Sequence, residues 1–158
     1  MPLALVIIAL LVVLWFLFSF GPASHPPATP TFATAVNDEF KKFQGAWEFV
    51  SLEVDGGKKP DQDFKKYSVV FQGDQWTVSE GTNIAAQTTI ELDPRTDPKT
   101  IDVFPQPGKG MPIHGIYLFE GDQLTICDRG EDKGDRPSEF VTKPGAGFVL
   151  IVFRRIKH

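Results

Sequence analysis

Beyond Gly45, apolar residues of this 158-residue chain recur at every second position, in short runs broken by turn-forming residues. The pattern is clear at Tyr67/Val69/Phe71, Trp76/Val78, Ile84/Ala86/Thr88/Ile90, Tyr117/Phe119 and Leu124/Ile126. A period of two puts successive side chains on opposite faces of an extended chain, so each run predicts a strand with one buried and one wet face. The runs end at Asp55-Gly56-Gly57, Gly73-Asp74, Gly81-Thr82-Asn83, Asp93-Pro94, Gly121-Asp122 and Pro144-Gly145-Ala146-Gly147, all turn chemistry. The strand candidates are Ala46–Val54, Tyr67–Gln72, Gln75–Glu80, Ile84–Leu92, Thr100–Phe104, Ile113–Glu120, Gln123–Asp128, Ser138–Lys143 and Phe148–Lys157. Most connections are short, which predicts antiparallel neighbours. A meander of this kind leaves two bare edges, and closure removes both. The last run is the most apolar and suits pairing back onto the first. The expected fold is therefore all-β: an antiparallel up-and-down barrel of about eight or nine strands.

The first strand is entered through Gly45-Ala46-Trp47, one residue after Asn37-Asp38-Glu39-Phe40-Lys41-Lys42-Phe43. That heptapeptide predicts a short capping helix, with Asn37 as cap, acids in the first turn and lysines in the last. Phe40 and Phe43 share a face, placed to cover one end of the barrel. Simple alternation puts Trp47, Phe49 and Ser51 on the inner face of the strand, with Trp47 plugging that end.

Leu3–Phe20 holds no charge and 14 Leu, Ile, Val or Phe residues. As a helix it spans roughly 27 Å, near the thickness of a bilayer's hydrocarbon core. No Lys or Arg precedes Lys41, and the apolar stretch exceeds that of a usual signal peptide. Residues 1–20 therefore read as an uncleaved hydrophobic signal-anchor helix in preference to a cleaved signal peptide, with Gly21-Pro22-Ala23 a poor cleavage site. Residues 21–36 are rich in Pro, Ala, Ser and Thr and predict an extended spacer. Residues 37–158 form the domain. Its expected location is the periplasm or another extracytoplasmic space, membrane-anchored, or secreted if the segment is cleaved.

A short helix leading into Gly-x-Trp, an up-and-down meander and a basic residue on the last strand resemble the lipocalin and fatty-acid-binding superfamily. The resemblance implies a tryptophan lying across the closed end with an arginine from the final strand packed on it. The matching residues are Gly45, Trp47 and Arg154 or Arg155. Arg154 is preferred because alternation groups it with Phe148, Leu150 and Val152. Phe43-Gln44-Gly45-Ala46-Trp47, Leu92-Asp93-Pro94, Pro98-Lys99-Thr100-Ile101-Asp102, Gly115-Ile116-Tyr117, Gly121-Asp122 followed by Leu124, Ile126 and Cys127, and Arg136-Pro137-Ser138-Glu139-Phe140 resemble more closely an uncharacterised lipocalin-like domain family of planctomycete bacteria. That resemblance implies extracytoplasmic placement and no defined activity.

The net charge of −4 gives no electrostatic footprint for nucleic acid, and the Lys-Lys and Arg-Arg pairs are dispersed. A single cysteine, Cys127, excludes an intramolecular disulfide and a thiolate zinc site. It reads as a passive small residue. Gly108-Lys109-Gly110 lacks the spacing and following helix of a phosphate loop. Asp128, Glu131, Asp132 and Asp135 do not follow a calcium-loop pattern and are interleaved with Arg129, Lys133 and Arg136. No metal or cofactor is expected. His114 is the one histidine placed for acid–base work, and its strand face points outward. Catalysis there needs an orienting carboxylate within a cleft, and the expectation is no enzymatic activity. Two readings of the interior stay open. Phe49, Tyr67, Phe71, Trp76, Ile90, Tyr117, Phe119 and Phe140 line a cavity for a small apolar ligand or envelope component. Alternatively they fill the barrel, and the domain is a structural module that docks an envelope protein through its surface.

Overall fold

The computed structural model describes residues 31–105, 111–130 and 134–157. The apolar segment 1–20 and the spacer up to residue 30 lie outside the described residues. Helix α1 (Phe32–Phe43) leads into β1 (Gly45–Val54), which hairpins into the two-residue β2 (Gly57–Lys58). A single helical turn, α2 (Asp61–Phe64), precedes β3 (Tyr67–Gln72), β4 (Gln75–Glu80) and β5 (Asn83–Asp93). Next come β6 (Lys99–Phe104), β7 (Ile113–Glu120), β8 (Gln123–Asp128) and β9 (Val149–Arg155). From β3 to β9 each strand pairs antiparallel with the next, β1 pairs with β3, and β9 pairs with β1. Eight strands thus close into an up-and-down barrel, with β2 added outside the ring. The expected architecture is present.

Closure explains why Ser138–Lys143, a strand candidate between two loops, forms no strand. The β3–β9 ladder and the β1 seam use the long edges, so this segment finds no ladder to join. The described part of the connection, from Gly134 to Phe148, instead lies over the outer face of the sheet. Beneath it Ile116, Thr125 and Cys127 are buried although they face outward. Arg136 pins it there: its guanidinium donates to the carbonyls of Ile101 (3.0 Å) and Gly115 (2.6 Å) and to Asp102 (2.6 Å).

The helix begins earlier than expected. Thr31, not Asn37, is the cap, its hydroxyl accepting from the Thr34 amide at 3.3 Å. Residues 32–36, assigned by composition to the spacer, are helical. Phe-Ala-Thr-Ala-Val lacks the charge that marks an exposed helix, yet nothing in it opposes helix once Pro30 is past.

Two irregularities redirect side chains. The β1–β9 register shifts between Phe49 and Ser51, leaving Val50 as the extra residue of a bulge. A one-residue insertion reverses the face of all that follows. Leu52, paired with the core residue Ile151, therefore points inward in place of Ser51. A second shift, between Val78 and Ser79, lies in the β4–β5 hairpin, where Ile84 is 62% exposed rather than buried.

One core cluster occupies the barrel's inner face: Phe43, Trp47, Val69, Phe71, Trp76, Ile90, Leu92, Ile101, Val103, Tyr117, Leu124, Ile126, Ile151 and Phe153. Each belongs to the inner face of its strand except Phe43, which α1 drives in from one end. Phe43 makes edge contacts with Phe71, Tyr117 and Phe119 at ring separations of 5.2, 5.1 and 5.0 Å. Such edge geometry satisfies the ring quadrupoles and adds to the burial energy.

Candidate functional site

The two ends of the barrel differ. At the end covered by α1, Trp47 is wholly buried and its indole N–H donates to the Phe43 carbonyl at 2.7 Å. The guanidinium of Arg155 lies 4.2 Å from the Trp47 ring. It also donates to the carbonyls of Gln44 (2.6 Å) and Lys42 at the C-terminal end of α1. One cation thus covers the indole and satisfies carbonyls that the helix leaves without partners.

This corrects the choice of Arg154. Ile151, Phe153 and Arg155 form the inner face of β9, whereas Arg154 points outward and pairs loosely with Glu48 at 3.7 Å. Alternation from Phe148 misled because the outward residues Phe148, Leu150 and Val152 are apolar too.

Glu39 seals the same end. It is 5% exposed and accepts from Lys42 (2.8 Å), Lys99 (2.6 Å) and the Tyr117 hydroxyl (3.4 Å). Burial alone raises its pKa, but the two lysines outweigh that and hold the carboxyl below its usual range. Burial, with Glu39 beside it, pushes the Tyr117 phenol far up.

At the opposite end the inner-face residues Leu52, Val78, Ile113 and Val149 pack on the core but are only partly buried. Asp128, on the inner face of β8 next to Gly115, is 8% exposed. Desolvation raises its pKa to about 6, opposed by a 2.7 Å bond from the Gly130 amide. Gly115 makes room for it: a Cβ there would lie 3.0 Å from the Cβ of Asp128.

The eight residues expected to line a cavity do not form one wall. Phe71, Trp76, Ile90 and Tyr117 are members of the core cluster. Phe49 packs against Phe153 at 4.8 Å and against Phe64 of α2 at 6.0 Å. Phe119 belongs to the sealed end, 5.0 Å from Phe43 and 6.1 Å from Trp47. Tyr67 is partly exposed, with Lys66 at 5.0 Å from its ring. Phe140 is not inward. It lies in the overlying segment and borders an outer cleft with Pro98 and Leu118. Gly45, at φ 109°, makes the step from helix into strand. Phe64, fully buried where α2 crosses β1, gave no alternation signal because it stands in a polar, four-residue turn.

Trp76 is distinctive within this set. It is 8% exposed, its indole N–H is buried, and that N–H has no hydrogen-bond partner. Its ring packs on Phe71 at 5.3 Å and edge-on to Phe153 at 5.9 Å, both inner-face residues. Trp47, by contrast, is fully satisfied.

On the outer wall His114 does meet a carboxylate: Nδ1 lies 2.8 Å from Asp102, its cross-strand partner. The same Asp102 oxygen accepts from Arg136, whose guanidinium is also 3.2 Å from that imidazole nitrogen. The trio ties the overlying segment to β6 and β7. The Cys127 thiol on the neighbouring strand is buried, and desolvation with nearby Asp128 pushes its pKa up to about 11 despite a bond from the Val141 amide. A thiol raised this far holds little of the thiolate a cysteine nucleophile requires. Among the described residues no group of three or more His, Cys, Asp or Glu is arranged to hold a metal ion.

Two further concavities border the barrel. One of about 460 Å³ runs between α1 and β5, bordered by Phe32, Val36, Phe40 and Leu92. Another of about 340 Å³ lies beside the β1 bulge, bordered by Glu48, Phe49, Lys65 and Arg154. No family model, curated protein or solved structure matches the chain.

Proposed function

We propose that the domain is a non-enzymatic, lipocalin-like binding module of the cell envelope, held at the membrane by the apolar segment 1–20, that takes a small apolar ligand at the end of the barrel away from α1. The observation that carries this is the difference between the ends. Aromatic rings and a satisfied ion network close one end. The other presents the half-buried aliphatic side chains of Leu52, Val78, Ile113 and Val149 around the barrel axis. The layer of Phe49, Trp76 and Phe153 forms the floor, so the ligand is short and shallowly held. The non-enzymatic reading is supported by the engagement of His114 and Asp102 with Arg136 and by the protonated Cys127 thiol.

The test is titration of the full-length protein with a neutral, environment-sensitive aromatic probe, followed by displacement with medium-chain alkanes. Saturable, displaceable binding that Val149→Lys abolishes is the expected result. Absence of displaceable binding sinks this reading. It leaves the second, a filled barrel that docks a protein, which the close packing of Phe49, Phe71, Trp76 and Phe153 favours.

A further inference from the structure

A buried donor without a partner is costly because its lost hydration is not replaced, so native cores seldom retain one. Trp76 retains one on the inner face of β4, while the buried Trp47 has its partner. Toward the end away from α1, Val78 is the next inner-face residue on the same strand, Leu52, Ile113 and Val149 are half-buried, and the Asp128 carboxyl lies on the inner face beside Val149. Thr88 is the cross-strand neighbour of Trp76, and its hydroxyl donates to the Trp76 carbonyl at 3.4 Å, leaving the indole unserved.

The charges that face inward narrow the chemistry further. The register places Lys99 and Arg155 on the inner face at the sealed end. There Lys99 is committed to Glu39, and Arg155 to Trp47 and the carbonyls ending α1. The ionisable group buried toward the other end is Asp128, an acid. Lys66 stands at the rim, paired with Glu80 at 3.2 Å. Among the described residues, no free cation faces the interior at the level of Trp76. A carboxylate buried there would meet a single neutral donor and no counter-charge, which costs far more than one hydrogen bond returns.

We infer that the ligand is an uncharged aliphatic molecule bearing one hydrogen-bond acceptor, an ester or ketone oxygen, which enters acceptor first and accepts from the Trp76 indole N–H. This rests on the binding reading given above and names its ligand class. A fatty-acid anion is disfavoured at the same place.

The test uses full-length protein labelled with ¹⁵N at tryptophan, in bicelles, with methyl octanoate, nonane and octanoate as probes at pH 8. The Trp76 indole signal is identified by its absence from Trp76→Phe. The expected result is a downfield shift of that proton with the ester alone. Ester affinity should exceed alkane affinity about tenfold, the equivalent of one neutral hydrogen bond. Trp76→Phe should lose that preference while still binding the alkane. Equal binding of ester and alkane with no downfield shift overturns this inference and leaves the apolar site standing. Tightest binding by octanoate overturns the uncharged class. Failure of all three probes to bind removes both this inference and the reading on which it rests.

Discussion

Replacing Arg155 by Met should destabilise the domain far more than the same change at Arg154, although the two residues are adjacent and carry the same charge. Arg155 lies 4.2 Å from the Trp47 ring and bonds carbonyls at the end of α1. A cation–π contact shielded from water is worth up to about 2 kcal/mol. Hydrogen bonds from a charged donor are worth about 1.5–3 kcal/mol each. These share one guanidinium and are not additive, so about 2–4 kcal/mol is expected for Arg155→Met. Methionine keeps much of the aliphatic stem, so lost packing contributes little. Arg154 has only a 3.7 Å pair to Glu48, with more than half of each side chain in solvent. Exposed pairs of that kind contribute about 0–1 kcal/mol. The measurement is the urea midpoint of the two variants against wild type, with the m-value checked for constancy. A larger loss at Arg154, or a loss below about 0.5 kcal/mol at Arg155, would refute the inner-face assignment of β9 and with it the sealed end.

Trp47→Ala should cost about 3–5 kcal/mol in the same melts, the usual range for a buried aromatic. Asp128→Asn should stabilise the protein at pH 7.5 and have little effect at pH 3.5. The carboxyl's pKa rises from 3.8 to about 6 on folding, so wild type carries no penalty below pH 3.8 and acquires it as pH climbs through 6. The gain is on the order of 2–3 kcal/mol, and the asparagine oxygen can still accept from Gly130. A flat difference between the two variants across that window would contradict the burial of Asp128. Cys127, its thiol pushed to about 11, should react with a disulfide reagent at pH 8 only as fast as the domain opens. Rapid labelling of the native protein would mean that the 134–148 segment does not cover β8.

The strands were legible because each is a local pattern: alternation along the run, turn residues at its end. Closure was legible one step further, since an apolar last strand needs a partner as much as the first does. Face assignment was not, wherever both faces are apolar. At and just before β9, Phe148, Leu150 and Val152 look inward by composition, but Leu150 and Val152 face outward, opposite Cys127 and Thr125, and Ile151, Phe153 and Arg155 take the core. The bulge at Val50 has no glycine or proline to announce it. The Arg136–Asp102–His114 cluster joins positions on two strands and a loop, so only the register reveals it. Trp76 was among the residues expected to face inward; its unpartnered N–H emerges only with the coordinates.

The ring of strands is tested most directly by cross-strand amide and Hα contacts between β1 and β9, measured by nuclear Overhauser spectroscopy. The structure predicts contacts linking Phe49 to Phe153 and Leu52 to Ile151, with the register slipping by one residue at Val50. A β1 strand that shows contacts to β3 but none to β9, with freely exchanging amides along that edge, would mean an open sheet and would contradict the barrel.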